Sequence, residues 1–307
     1  MDNKVAVILV NYNGKDYNEE CIDSILKSEL SGLLTIYIID NNSTDGSMAL
    51  IEKRYSDMKC IRLYYLNNNM GFAVANNFAI KHALSENSDF IILLNNDTII
   101  EKDMIGLMIK AAMENPASII VPRIYYESER NVLWYAGGFF SPWVWKPKNR
   151  GENELDKGQY DEDLECDFAN GCCMLLTRNI IDRLGFMDES FFLYYEDTEY
   201  SLRAKKVGIK IRYSPMAKMY HKVNASTGGN SSPACAYYIS RNWIMCMRKR
   251  MPLLRFVFFF LYYIINRMGC FGVWALQGKW KMIYAGCLGI CDYMRQKSGK
   301  SVSYTHL

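Results

Sequence analysis

The sequence VAVILVNYNG at residues 5–14 joins a run of aliphatic residues, several of them β-branched, to a polar turn. The same combination recurs three more times before residue 120, and helix-like stretches separate the runs. This alternation predicts an α/β fold in which helices flank a mostly parallel central sheet. The predicted strands are Val5–Val10, Leu34–Asp40, Cys60–Leu66 and Phe90–Leu94, and the predicted helices lie near Asp16–Ser28, Ser47–Tyr55 and Phe72–Leu84.

Asparagine or aspartate follows every one of these strands. Any one of them would pass as an ordinary turn residue. The carboxyl ends of parallel strands meet at one edge of the sheet, however, and ligands bind there. Four such ends predict a polar rim for a base, a ribose and a diphosphate. The sequence contains no P-loop and no GxGxxG motif, which argues against a kinase or a dehydrogenase. The rim consists of Asn11-Tyr12-Asn13, Asp40-Asn41-Asn42, Asn67-Asn68-Asn69 and Asn95-Asn96-Asp97.

The charge of the chain is divided between two parts. Residues 1–199 carry 18 Lys and Arg against 32 Asp and Glu, whereas residues 200–307 carry 18 Lys and Arg against one acid, Asp292. A basic block of this kind favours an anionic partner, which could be nucleic acid, anionic lipid or a phosphorylated ligand. No nucleic-acid-binding module is recognisable, so nucleic acid is not an expected partner.

The basic part also contains a strongly apolar stretch. The run Phe256–Ile265 has ten residues, which is too short to span a bilayer as a helix of about 20 residues. One interpretation is a helix lying in the interface of an anionic membrane. The other is a helix packed inside the protein against Trp274–Ile290.

The cysteines and the two ends of the chain bear on its location. Ten cysteines occur without CxxC spacing and no secretory signal opens the sequence, so we expect reduced thiols, no zinc site and a cytoplasmic protein. The last six residues, VSYTHL at 302–307, match a translated sequencing-adapter end. We expect them to be an artefact, and His306 is excluded from the site.

Seven motifs occur in an order and spacing that resemble glycosyltransferase family 2, especially its bacterial rhamnosyltransferase-like members. The resemblance implies a GT-A catalytic domain over residues 1–230, with a nucleotide-binding half at about 1–120 and an acceptor half at about 121–230. Residues 231–301 would form a helical, basic and apolar extension. The motifs are NYNG (11–14), DNNSTDGS (40–47), NMGFAVANN (69–77), LLNNDT (93–98), NGCCMLL (170–176), DESFFLYYEDTEYSLRAKKVG (188–208) and YYISRN (237–242).

The same resemblance implies a chemistry. A dTDP- or UDP-activated sugar, with rhamnose as one candidate, would be transferred with inversion to a hydroxyl of a glycan or a lipid-linked acceptor. The enzyme would work in cell-surface polysaccharide synthesis at the inner face of the cell membrane. Its cofactor would be Mg²⁺ or Mn²⁺, which neutralises the departing diphosphate.

The resemblance also assigns roles to residues. Asp97 takes the place of the metal-binding acid in this fold, and His221 takes that of a second ligand, although a lone histidine is often structural. Asp40 would contact the base or ribose, and Arg241 would contact phosphate or instead anchor the C-terminal tail. The full donor-binding set is Val10, Asn11, Tyr12, Asn13, Asp40, Asn42, Gly71, Asn95, Asn96 and Arg241.

The acid pair Glu196-Asp197 supplies the expected catalytic residues. By resemblance Asp197 is the general base that takes the acceptor proton, and Glu196 hydrogen-bonds the acceptor. Both residues could instead only cap a helix, predicted at Thr198–Val207. Two other functions remain open, namely a sugar nucleotidyltransferase and a non-catalytic protein that binds sugar nucleotide or membrane.

Overall fold

A computed structural model describes residues 3–30, 33–223 and 232–301 of the chain. The expected boundary between residues 230 and 231 and the expected artefact at 302–307 lie outside these described residues.

The N-terminal part consists of alternating strands and helices, as the sequence predicts. Strands pair in parallel in the order β3-β2-β1-β4, with Asn11 opposite Asp40 and Val10 opposite Asn95. Aliphatic residues on both faces of β1 are buried, because helices cover the sheet on each side. The elements are β1 (Lys4–Asn11), α1 (Asn18–Leu26), β2 (Leu33–Asp40), α2 (Ser47–Tyr55), β3 (Ile61–Tyr65), α3 (Phe72–Ser85) and β4 (Phe90–Asn95).

Further strands extend this sheet beyond β4. The elements are β5 (Thr98–Ile100), α4 (Met104–Glu114), β6 (Ser118–Tyr126), β7 (Val132–Tyr135), β8 (Gly138–Phe140), β9 (Pro147–Asn149), β10 (Glu154–Leu155), β11 (Leu164–Cys166), β12 (Cys173–Thr177), α5 (Arg178–Leu184), α6 (Glu196–Lys206) and β13 (Lys210–His221). Strand β12 lies antiparallel to β4, and β13 lies antiparallel to β5 with His221 opposite Thr98. The predicted α/β fold with a mostly parallel central sheet is confirmed. Helix α6 begins two residues before the predicted Thr198.

Three helices complete the described chain: α7 (Pro233–Arg250), α8 (Leu253–Leu276) and α9 (Trp280–Met294). The prediction of a ten-residue apolar helix was wrong in length, because α8 has 24 residues, enough by length and composition to cross a membrane. In the part of the helix beyond the apolar run, the Arg267 guanidinium turns inward and lies over the rings of Trp243 and Tyr263. The predicted segment Trp274–Ile290 is interrupted at Gly278 and so divides between α8 and α9.

Candidate active site

The side chain of Asn11, at the end of β1, organises the rim. It is fully buried, and its amide nitrogen donates to Asp40 Oδ1 at 3.0 Å and to Ser47 Oγ at 2.9 Å. Its amide oxygen accepts from Asn18 Nδ2 at 2.7 Å and from Asn96 Nδ2 at 3.3 Å. Asn11 and Asn96 therefore bind other protein groups, and their side chains position the rim rather than face a ligand. The donor contacts expected of both side chains stay predictions.

Several predicted donor contacts surround this buried cluster on the open side of the sheet edge. Asp40 is itself buried at the border of the cluster and is held by Asn11 and by the backbone N–H of Ser43 at 3.1 Å. Tyr12 is 43% exposed, Asn13 and Asn42 are also exposed, and Val10 and Asn95 are partly exposed. The outer part of the predicted donor set can thus meet a nucleotide at one edge.

Gly71 links this edge to the segment before α6. Its φ of +86° is in the left-handed region, and a Cβ there would lie 2.3 Å from the carbonyl oxygen of Phe192. Phe72 N–H also donates to that oxygen at 3.0 Å. Asn41 fixes the loop, since its Oδ1 accepts from Met70 N–H at 2.7 Å. Glycine at position 71 therefore serves a close backbone contact.

The side chains of Asp97 and His221 contact each other just beyond the end of β4. Both side chains are buried, and Asp97 Oδ1 lies 3.2 Å from His221 Nε2. The pairing of β5 with β13 creates this contact, because Asp97 directly precedes β5 and His221 ends β13. Two neighbouring ligands of an octahedral ion, with bonds of about 2.1 Å, lie about 3.0 Å apart, so the pair fits one divalent cation. Within the described residues no group of three or more His, Cys, Asp or Glu could hold a metal.

The loop 170–172 connects the strand end beside Asp97 with the acid pair. Asn95 N–H donates to the carbonyl oxygen of Cys172 at 2.9 Å. Gly171, the residue directly before Cys172, donates its N–H to Asp197 Oδ2 at 3.0 Å. The NGCC motif therefore brings the end of β4 and the start of α6 together.

The two acids of the pair have different surroundings. Asp197 is partly exposed, and Thr198 N–H donates to its Oδ1 at 2.6 Å. Glu196 is buried, and its Oε2 has no hydrogen-bond partner among the described residues. Burial, followed by the neighbouring Asp197 charge, raises the pKa of Glu196 to about 8. Partial burial also raises the pKa of Asp197, while its hydrogen bonds to Gly171 and Thr198 oppose the shift. Burial thus favours the protonated form of Glu196, since no hydrogen bond from the described residues to its Oε2 offsets the cost of a buried charge.

The turn that precedes the acid pair is strained. Tyr194 and Tyr195 have φ values of +64° and +74°, a left-handed conformation that aromatic residues rarely adopt. Such positions cost on the order of 1–3 kcal/mol each and cluster at functional sites. The strained segment leads directly into α6. Glu196 and Asp197 therefore lie in the first turn of this helix, where the helix dipole favours carboxylates.

Arg241 binds groups of the C-terminal part of the chain, and its expected contact with phosphate stays a prediction. The side chain is fully buried and donates to the carbonyl oxygen of Gly299 at 2.8 Å and to Asn242 Oδ1 at 2.9 Å. Its guanidinium also lies over the rings of Tyr237 and Tyr238. Arg241 therefore has the alternative role considered for it, since it anchors the C-terminal tail.

The sequence assigned no individual role to three asparagines of the site, Asn18, Asn41 and Asn242, although Asn41 was counted in the polar rim. Asn18 accepts from Asn96 at 2.6 Å, and Asn41 and Asn242 hold loops through backbone groups. Only Asn41 and Asn242 lie inside motifs that the sequence had singled out. Their role was not visible because the groups they bind are backbone atoms of distant segments.

Several known proteins are similar to this chain in sequence. The chain is 24% identical over 264 residues to the dTDP-rhamnosyl transferase RfbF of Shigella flexneri, with 83% of each chain covered. It is 26% identical over 273 residues to an N-acetylglucosaminyl-diphospho-decaprenol L-rhamnosyltransferase of Mycobacterium tuberculosis, covering 80% of this chain and 84% of that one. It is 27% identical over 221 residues to the low-salt glycan biosynthesis hexosyltransferase Agl10 of Haloferax volcanii, covering 71% and 66%.

The fold has solved counterparts as well. The structure of GalNAc-T7 with UDP, GalNAc and Mn²⁺ superposes with a TM-score of 0.64 at 15% identity, covering 80% of this chain but about half, 48%, of that one. Staphylococcus aureus TarS residues 1–349 with UDP superposes with a TM-score of 0.53 at 18% identity, covering 81% and 67%. These likenesses establish the GT-A fold. The profile described as "Glycosyl transferase family 2" matches residues 6–185, more than half of the sequence, and the chain accordingly belongs to this family of glycosyltransferases, with rhamnosyltransferase-like relatives.

Proposed function

We propose that this glycosyltransferase moves a sugar, with inversion, from a nucleoside-diphosphate donor to an acceptor hydroxyl, with Asp197 as the general base. One observation carries the proposal: the loop 170–172 ties Asp197 to the strand end beside Asp97. A base and a metal-binding carboxylate at one edge suit group transfer. A non-catalytic binding protein would have no need of both.

The donor would lie along the rim formed by the ends of β1, β2 and β4. The Asp40 carboxylate, fixed by Asn11 and Ser43, can accept hydrogen bonds from a base imide or from ribose hydroxyls. Tyr12, Asn13 and Asn42 offer exposed contacts around it. A dTDP- or UDP-sugar fits this set, and the rhamnosyl names of two relatives favour a rhamnosyl donor.

Asp97 and His221 would hold one Mg²⁺ or Mn²⁺ ion. Bound there, the ion neutralises the charge of the diphosphate. Because the described residues offer two ligands, donor oxygens and water would complete the shell. Imidazole as a ligand favours Mn²⁺ over Mg²⁺.

The two acids have different roles in the transfer reaction. The acceptor oxygen attacks the anomeric carbon as Asp197 takes its proton, and the bond from that carbon to the phosphate oxygen breaks on the opposite face. The N–H groups of Gly171 and Thr198 orient the Asp197 carboxylate for this step. Protonated Glu196 can donate a hydrogen bond that positions the acceptor.

Asp197→Asn tests this assignment, because it keeps the size of the side chain and removes the base. We expect transfer to fall by about 10²–10⁴-fold, while donor affinity, measured by calorimetry with Mn²⁺ present, changes little. Asp167→Asn is a matched control, since Asp167 forms a surface ion pair with Lys205. Near wild-type turnover, or failure through lost nucleotide binding, would move the base elsewhere, first to Glu196.

We further propose that the enzyme works in the cytoplasm at the inner membrane face, on a glycan or lipid-linked acceptor. Every exposed position of α8 is apolar or glycine, whereas Arg255 and Arg267 are partly or fully buried. Residues 232–301 carry eleven Lys and Arg against Asp292 alone. Because the inner face of α8 packs on α7 and α9, the helix suits an interfacial position better than a spanning one.

Vesicle flotation tests the membrane proposal. Anionic vesicles should bind the protein, each surface Lys or Arg adding on the order of 1 kcal/mol, and salt should weaken the binding. Phe258→Glu on the exposed face of α8 should reduce it, whereas Met113→Glu, at an exposed position on α4, should not. Binding that ignores both anionic lipid and Phe258→Glu would refute the proposal.

A further inference from the structure

The strained turn before the acid pair receives two hydrogen bonds from one distant side chain. Asn242, fully buried on α7, donates through Nδ2 to the carbonyl oxygens of Leu193 at 2.8 Å and of Tyr194 at 3.0 Å. Its Oδ1 accepts from Arg241 Nε at 2.9 Å, which fixes the orientation of the amide. Both bonds end on the backbone that leads into Glu196 and Asp197.

Other contacts fasten the same segment to α7. The ring of Tyr195 stacks on Trp243 with centroids 6.3 Å apart. Lys249 Nζ binds Asp188 Oδ2 at 2.6 Å, and Arg250 pairs with the buried carboxylate of Glu199 on α6. Helix α7 is in turn held by α8, where Tyr263 OH donates to the carbonyl oxygen of Ser240 at 2.8 Å.

A backbone in an unfavourable conformation persists only where its surroundings enforce it. Tyr194 and Tyr195 are not glycine or asparagine, so the sequence of the turn does not favour its φ values. The two donated bonds at Leu193 and Tyr194 act at the point where the chain must bend. Without them the turn can relax toward ordinary φ values and move the first residues of α6.

We propose that Asn242 is a positioning residue for the transfer reaction, which holds the left-handed turn and so aims Asp197 at the acceptor hydroxyl. Helix α7, which lies outside the match to the family profile at residues 6–185, is therefore part of the catalytic apparatus. This inference rests on the proposed role of Asp197 as the base.

The test compares Asn242→Ala with Asn77→Ala. Asn77 is also a buried helical asparagine that donates to a loop carbonyl, that of Met187 at 2.9 Å, seven residues before Tyr194. With acceptor saturating, Asn242→Ala should lower kcat by about 10–100-fold and leave the donor dissociation constant within about threefold. Hydrogen exchange of the 193–199 backbone should quicken. Asn77→Ala should affect stability without this loss of kcat.

Asn242→Asp provides a second variant in case alanine does not fold. It keeps the side-chain volume and an acceptor for Arg241 but cannot donate to the two carbonyls, so kcat should again fall. Equal kcat losses in the Asn242 and Asn77 variants, or unchanged exchange at 193–199, would overturn the inference. If Asp197→Asn abolishes transfer while Asn242→Ala behaves as wild type, only the role of Asn242 fails. If Asp197→Asn stays active, the proposed base fails first.

Discussion

The rim around Asn11 and the turn around Tyr195 place acidic side chains at the same site in different ways. In the rim, Asn11 and Asp40 lie opposite each other on paired strands, and the amide reaches the carboxylate at 3.0 Å. Its left-handed positions, Asn13 and Asn42, are asparagines, which tolerate that conformation. In the turn, Tyr194 and Tyr195 occupy left-handed positions, and Asn242 on helix α7 holds the backbone there.

The difference separates two kinds of functional geometry. Strand register positions the rim, so each rim residue is favoured by its own local sequence. The base-bearing turn opposes its local preference and depends on tertiary contacts. We therefore expect rim substitutions to act mainly on donor binding and turn substitutions mainly on the rate of transfer.

Asp97→Ala should have the largest effect on the rim side. Loss of the carboxylate removes one of two protein ligands of the expected ion, so transfer should fall by at least about 10²-fold and donor affinity should lose its dependence on Mn²⁺. Turnover and calorimetry with titrated Mn²⁺ measure both effects. Excess EDTA should reproduce the loss in the wild type. Full activity in excess EDTA would show that the transfer reaction does not need a metal ion.

Asn11→Ala removes the side chain that organises the rim, just as Asn242→Ala removes the side chain that holds the turn. It leaves Asp40, Asn18 and Asn96 without a shared partner, which should lower the free energy of unfolding by about 2–3 kcal/mol. Donor affinity should weaken about tenfold while kcat at saturating donor stays nearly constant. Urea unfolding and donor titration measure these quantities. A loss confined to kcat would contradict the distinction between the two regions.

Glu196→Gln should have the smallest effect, on the pH dependence of stability. The pKa of Glu196 is raised to about 8 in the folded protein, so the folded state binds a proton more tightly than the unfolded state. Its contribution to stability is complete below the ordinary glutamate pKa and is lost as pH rises through about 8. Glutamine removes this dependence. The variant should gain a few degrees in Tm relative to wild type between about pH 5 and pH 9.

Thermal unfolding across this pH range provides the measurement. Glu20→Gln is the control, because Glu20 is exposed and pairs with Lys222. Parallel Tm curves for wild type and Glu196→Gln would show that Glu196 titrates normally and that the turn does not bury it.

The two regions also differ in how far the sequence predicted them. Alternating apolar runs predicted the four parallel strands within a residue or two, because burial imposes a regular pattern on local sequence. Motif order indicated Asp97, His221 and Asp197, and the structure brings the first two within 3.2 Å. Motif order did not show that the side chains of Asn11, Asn96 and Arg241 bind other protein groups, and their donor contacts stay predictions. A polar residue at a strand end looks the same in sequence whether it faces a ligand or another asparagine.

The sequence by itself determined the parallel sheet, the family and the residue types at its polar edge, since each follows from local periodicity and motif spacing. Only the tertiary structure decided that Asn11 faces inward, that Glu196 is buried beside Asp197 and carries a raised pKa, and that Asn242 holds the turn. The physical reason is that burial and hydrogen-bond partners depend on segments far apart in the chain. Asn242 lies 48 residues from Tyr194, a separation that no local pattern records.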